Sequence, residues 1–232
     1  TSQVQALTSA QVAALTTDHI VALETEDVAA LLTRQVVALR TDQIAALGSD
    51  QVIALNTAQV SALGTAQTVA LTTDNIVVLE TADFFALQTR QVAALTTDQV
   101  LAIQTEDLAV LKTNQVAVLR TDQVSVLTTD QVVALSSAQI AQGLTTAQLR
   151  AMSSEQISVF ETADWANITT RQISVLNSDQ VAAITTDGIA ALKTSSIAAL
   201  TTTQVAQGLT TAQVDALTTA PVPQGMTTAL MT

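Results

Sequence analysis

The residues of this chain that could do chemistry are few and regularly placed. There is one histidine, His19, and no cysteine. Neither a zinc site of Cys and His nor a His-containing catalytic triad can be assembled from that set. Carboxylates are the remaining resource, with 20 Asp and Glu against 8 Lys and Arg. One acidic pattern recurs: Glu24, Asp27 and Arg34; then Glu80, Asp83 and Arg90; then Glu161, Asp164 and Arg171. A weaker copy carries Asp107, Lys112 and Asn114. Two chemistries suit the pattern. The first is an Asp–Arg ion pair, worth about 0–1 kcal/mol if exposed. The second is weak calcium binding, but the spacing matches neither the EF-hand loop nor the glycine-rich RTX nonapeptide. The sequence therefore predicts no cofactor, with weak calcium binding as the alternative. A glycosidase-like carboxylate pair needs a cleft, and no glycine-rich phosphate loop is present. The chain is not expected to be an enzyme.

These residues sit on a frame of octapeptides. With TTDHIVAL (16–23) numbered from one to eight, position two is Thr or Ser, as in Ser9, Thr17, Thr25 and Thr33. Position four is usually an amide, as in Gln35, Gln43, Gln51, Gln59 and Gln67, and His19 takes that place once. Position five is mostly Val or Ile, seven Ala or Val, and eight Leu; one, three and six vary. A continuous helix would rotate the apolar stripe by about 80° per octad, so no face could stay buried. Short helices fit better. Position two would be the N-cap, its hydroxyl accepting from the N–H groups of positions four and five. An acid at position three then lies in the first turn, where the helix dipole favours it. Positions four, five, seven and eight share one face of the wheel, with six opposite. The restricted positions are thus the inner ones.

The expected fold is an all-α solenoid of two-turn helices that depend on stacking for stability. A β-solenoid is the alternative, since Thr and Val suit strands, although positions four and five would then face opposite ways. An inner amide must find partners, because a buried unpaired one costs about 1–3 kcal/mol. The position-four Gln is expected to bond to backbone groups of neighbouring octads.

Position six alternates small and large: Ala13, Val21, Ala29, Val37, Ala45, Ile53, Ser61, Val69, with Phe85, Leu101 and Val133 further on. An even number of octads per coil would produce this, about two being the simplest. Val21, Val37, Ile53, Val69, Phe85, Leu101 and Val133 would then form an apolar ridge, either a self-association surface or partly buried in the coil. Two units, 141–149 and 206–214, carry an inserted Gln-Gly. Gly143, Gly208 and Gly225 are free to take positive φ, so they read as points where the coil bends or shifts phase. The expected organisation is a solenoid over 1–142, its continuation over 143–217 and a terminal partial repeat over 218–232, broken by Pro221 and Pro223. No polar cap is evident at either end, so more of the same chain or another copy is expected to cover the ends. The pattern is already running at Thr1, which suggests a processed product or a piece of something longer.

A net charge of −12 repels nucleic acid, and no apolar run is long enough for membrane insertion. Stretches such as TTDQVVALSSAQIAQGLTTAQ (128–148) resemble the octapeptide tracts of very large bacterial exported and cell-surface adhesin-like proteins. That resemblance covers essentially the whole chain. It implies an extracellular or cell-surface location in bacteria, a structural or adhesive role, and no catalytic residues. The expected function is a non-enzymatic structural repeat whose partners are copies of itself, assembled into a fibre, stalk or surface layer. The alternative is an adhesive module presenting its repeat surface to a peptide, glycan or host protein. An exposed cluster of Phe84, Phe85 and Trp165 would favour binding; burial of these residues would favour the structural role.

Overall fold

The computed structural model describes residues 2–219. Pro221, Pro223 and Gly225, with most of the expected terminal partial repeat, lie outside the described residues. Each octad forms one short helix, such as Thr41–Ala45, Thr73–Val78 or Thr97–Ala102, and among the described residues there is no strand. The fold is an all-α solenoid, as the repeat predicts.

The start of each helix differs by one residue from the expectation. Position one, not position two, is the N-cap: Thr16, Thr72, Thr96 and Thr128 have extended backbone and accept from the N–H of position four. Position two is already helical. The reason lies at the previous helix's end, where the position-eight Leu turns out of the helix, as at Leu39 and Leu79. Positions eight and one together make the corner. Position one tolerates any residue because the Gln at position four caps it from the other side. The N–H groups of Leu32, Arg40 and Gly48, none of which has a capping side chain, donate to Gln35, Gln43 and Gln51 Oε1 at 2.7, 2.7 and 3.0 Å.

Each helix packs against the helices three units before and after it: Thr81–Ala86, for example, lies between Thr57–Ala62 and Thr105–Ala109. Side-chain bonds reach further, as from Gln43 to carbonyls 28 and 31 residues earlier, in the octad four units back. One coil therefore takes between three and four octads, not two. The alternation at position six misled because that position faces outward and does not fill the interior that sets the number of octads per coil. A two-octad coil would also be a flat ribbon. With a third side, positions five and eight of every helix converge on one interior, and Val92, Leu95, Val100, Ile103, Leu108 and Leu111 belong to a single continuous core.

The inserted residues do not shift the stack. Each is absorbed as one π-turn, Gln139–Gly143 and Gln204–Gly208, closed by Leu144 N–H to Gln139 O at 2.9 Å and Leu209 N–H to Gln204 O at 3.0 Å. Gln148 still reaches the octad four units back, at Val116 and Leu119, with one more residue between. Neither glycine adopts positive φ; each is required by close approach. A Cβ on Gly143 would stand 3.1 Å from Val116 Cβ, and one on Gly208 3.0 Å from Val181 Cβ. Gly188 is tighter still, since its Cβ would meet Trp165 Cδ1 at 2.6 Å.

Gly188→Ala should therefore destabilise the chain by about 1–3 kcal/mol through overpacking. Gly48→Ala and Gly64→Ala, whose added Cβ meets nothing nearer than 3.9 and 3.7 Å, should change it by less than about 0.5 kcal/mol. Urea melts of the three variants check this.

Candidate functional site: the interlayer contact and the outer face

The inner amide bonds in two directions at once. Gln99 Oε1 accepts from Thr96 N–H at 2.8 Å, while its Nε2 donates to Thr68 O at 2.9 Å and Leu71 O at 2.7 Å. Gln67, Gln115, Gln123, Gln131, Gln139 and Gln204 repeat the arrangement, all buried. One side chain thus caps the start of its own helix and the end of a helix in the layer below. The expectation that these amides bond neighbouring octads together is met.

The outer face carries a second, looser contact. Side chains at position one reach position six of the octad four units back, 27 residues earlier. Gln88 Nε2 donates to Ser61 O at 3.0 Å and Gln104 Nε2 to Val77 O at 2.6 Å. The Arg40 and Arg120 guanidinium groups donate to the Ala13 and Ala93 carbonyls. Each Arg also pairs with the carboxylate two residues on, at 2.9 and 3.1 Å, and holds Asp42 and Asp122 below the usual carboxylate range. Lys112 Nζ stands 4.0 Å from the centroid of the Phe85 ring. Gly48 and Gly64 occupy the same register relative to Val21 and Val37. Treating positions one and six as independent hid this pairing. The recurrence of Arg against Ala was its one visible signal.

All seven residues of the expected ridge are exposed, from 44% at Val69 and Leu101 to 63% at Val21. They do not stack as one column, because octads two units apart are not neighbours in the coil. Taken 32 residues apart they form two sets: Val21, Ile53 and Phe85, and Val37, Val69, Leu101 and Val133. In the second set, Gln67, Gln99 and Gln131 join each octad to the next, donating to Leu39, Leu71 and Ile103. Val77 is exposed as well, as are Val205 and Val214, which sit at the normally buried position five. Among the described residues no later octad covers those last two. At the opposite end, Gln3, Gln11 and His19 present position four outward. His19 Nδ1 accepts from Thr16 N–H at 3.3 Å, the capping half of the Gln role.

The acidic pattern behaves differently from its expectation. Asp83 is buried while Arg90, at position three, is exposed, so the pair is not formed. Asp83 Oδ2 accepts instead from Glu80 N–H at 3.2 Å. Among the described residues no group of three or more His, Cys, Asp or Glu is placed to hold a metal ion. A shallow cavity of about 550 Å³ beside Val21, Glu24, Glu26, Gly48 and Asp50 is the largest of the surface hollows described. Phe84, Phe160 and Trp165 are buried, the last two with ring centroids 5.3 Å apart; Phe85 is the exposed aromatic. No described helix is long and apolar enough to cross a membrane.

The ALTTAQ repeat family matches residues 1–25, 20–57, 52–79, 76–103, 100–137 and 157–194. The interval between the last two matches contains the first π-turn, Gln139–Gly143. Comparison with curated proteins returns no match.

The interlayer amides give a direct test. Gln99→Leu leaves Leu71 O and Thr96 N–H without partners and Thr68 O with only the Leu71 N–H, and should cost about 1–3 kcal/mol in urea unfolding. Gln11→Leu, at the same octad position but exposed, should cost less than about 0.5 kcal/mol.

Proposed function

Taking as premise that the chain belongs to the ALTTAQ repeat family, we propose that it is a non-enzymatic structural protein whose copies stack end to end. The assembly is an extracellular bacterial fibre, stalk or surface layer, and its partners are copies of the same chain. One observation carries this reading: the interlayer contact has two different halves, a position-four amide on one layer and position-five and position-eight carbonyls on the layer before it, so a second copy can continue it. The first layer presents position-four side chains, Gln3, Gln11 and His19. The last described layer presents the apolar position-five residues Val205 and Val214, 50% and 44% exposed. Between them, most octads bury these two positions against each other. A contact of this kind is heterologous, so it propagates into an open rod rather than closing into a dimer. Burial of Phe84 and Trp165 supports the structural role over the adhesive one, because it removes the aromatic cluster a ligand would stack on. The bacterial surface location rests on the resemblance to exported octapeptide tracts.

Electron microscopy and light scattering over a concentration series check the proposal. Filaments of constant width are expected, with Val205→Glu combined with Val214→Glu raising the assembly threshold by at least about tenfold, as a buried charge in an apolar contact does. Single short particles at every concentration would overturn it. Loss of assembly with Val69→Glu and Leu101→Glu, but not with the end variants, would move the contact to the outer face.

A further inference from the structure

Position four is Gln in most octads, and its exceptions show what the contact requires. Asn75 is the shortened amide. Its Oδ1 accepts from Thr72 N–H at 3.1 Å, and its Nδ2 donates to Leu47 O, 28 residues earlier, at 3.1 Å. Asp83 and Asp107 carry the same side-chain skeleton at the same position, only 3% and 2% exposed. Asp83 Oδ2 accepts from Glu80 N–H as Asn75 Oδ1 does from Thr72. Its Oδ1, however, is buried without a partner, and so is Asp107 Oδ2. In the register of Asn75 the acceptors for these atoms are the Leu55 and Leu79 carbonyls. Asp107 and Leu79 line one hollow with Glu80, Thr81, Gln104 and Glu106. A carboxylate only accepts and a carbonyl only accepts, so the bond that Asn75 makes needs a proton on the acid.

We propose that Asp83 and Asp107 are a proton-operated clip between layers: as carboxylic acids they bond to the preceding layer as Asn75 does, and as carboxylates they release it. The groups facing them are of one sign. Their helices, Thr81–Ala86 and Thr105–Ala109, pack on each other. The remaining neighbour of the first, Thr57–Ala62, brings no ionisable group, and that of the second, Thr129–Val133, brings only the exposed Asp130. Glu80 and Glu106 stand beside the two acids, and the octads supplying the carbonyls carry Asp50 and Asp74, both exposed. Lys112 is occupied by the Phe85 ring. Burial, then Glu106 and Asp83, push the Asp107 carboxyl up to about 6, with the nearby Thr81 hydroxyl pulling the other way. Burial raises Asp83 also, opposed by the Thr57 hydroxyl and the Glu80 N–H and reinforced by the Glu80 charge. For an acid raised in the folded chain, the added stability is complete below the ordinary value of 3.8 and is lost as pH rises through about 6. The clip acts within one chain, whether or not copies associate.

Amide hydrogen exchange on the full chain tests it. After correction for the intrinsic pH dependence of exchange, amides in 76–111 should be at least about tenfold better protected at about pH 5 than at about pH 7.5. Asp83→Asn with Asp107→Asn should remove that difference and keep the higher protection at both values. Asn75→Asp should create a similar dependence in 47–79. An unchanged pH dependence in the double variant overturns the proposal. So does full protection of the natural chain at about pH 7.5 on adding calcium chloride alone, which assigns the orphaned oxygens to a cation.

Discussion

A two-turn helix leaves the N–H groups of its first turn and the C=O groups of its last turn without intrahelical partners. A chain built only from such helices consists almost entirely of helix ends, and everything else here depends on how those ends are satisfied. The Gln at position four meets the demand with one side chain, its oxygen taking an N–H at the start of its own helix and its nitrogen serving carbonyls at the end of another. The amide is suited to this because it carries donor and acceptor on one planar group. Local capping and layer stacking are therefore the same event, and a helix too short to persist alone is formed only as the layer is laid down.

The same constraint explains which substitutions the repeat accepts. Trp165 at position five fills the space into which the next layer would send a side chain, and the octad three units on has Gly188 at position four instead of Gln. Phe84 stands in the same relation to Asp107, a residue shorter than Gln. At Trp165 the bulky core residue is matched by a residue without a side chain, which trades an interlayer hydrogen bond for apolar burial. Ser196 is another shortened position, whose Oγ still donates to Ile168 O at 3.1 Å. Position four thus records both the bonding and the packing history of the layers on either side of it.

Much of this was legible in the sequence, because an octad is longer than the helix it encodes and so contains its whole wheel. Restriction at positions four, five and eight marked the interior, and an inner amide had to be paired. What remained hidden concerns relations between octads. The number of octads per coil is set by how three sides enclose Val, Ile and Leu side chains, and a one-octad period has no information about that. The N-cap moved to position one because the preceding Leu leaves the helix, a fact about the corner and not about the wheel. Gly143 and Gly208 read as conformational breaks, whereas Val116 and Val181 require them on a neighbouring layer. Asp83 read as half of an ion pair, although its place in the octad already put it inside and put Arg90 outside.

A coil of between three and four octads has a consequence for the outer face. A position-six residue such as Val77 or Phe85 meets position one of the octad four units on. The pairing of Lys112 with Phe85 and of Arg40 with Ala13 shows this face being filled locally, and the hollow beside Val21 and Gly48 shows it left open where position one is glycine. Single exposed hydrophobic residues are common on protein surfaces. The contact between layers differs in kind: there the amide of position four meets the carbonyls of positions five and eight in one geometry that the interior repeats many times. The outer face is therefore filled pair by pair, with a different partner at each octad, whereas the layers are joined by a single contact used again along the chain.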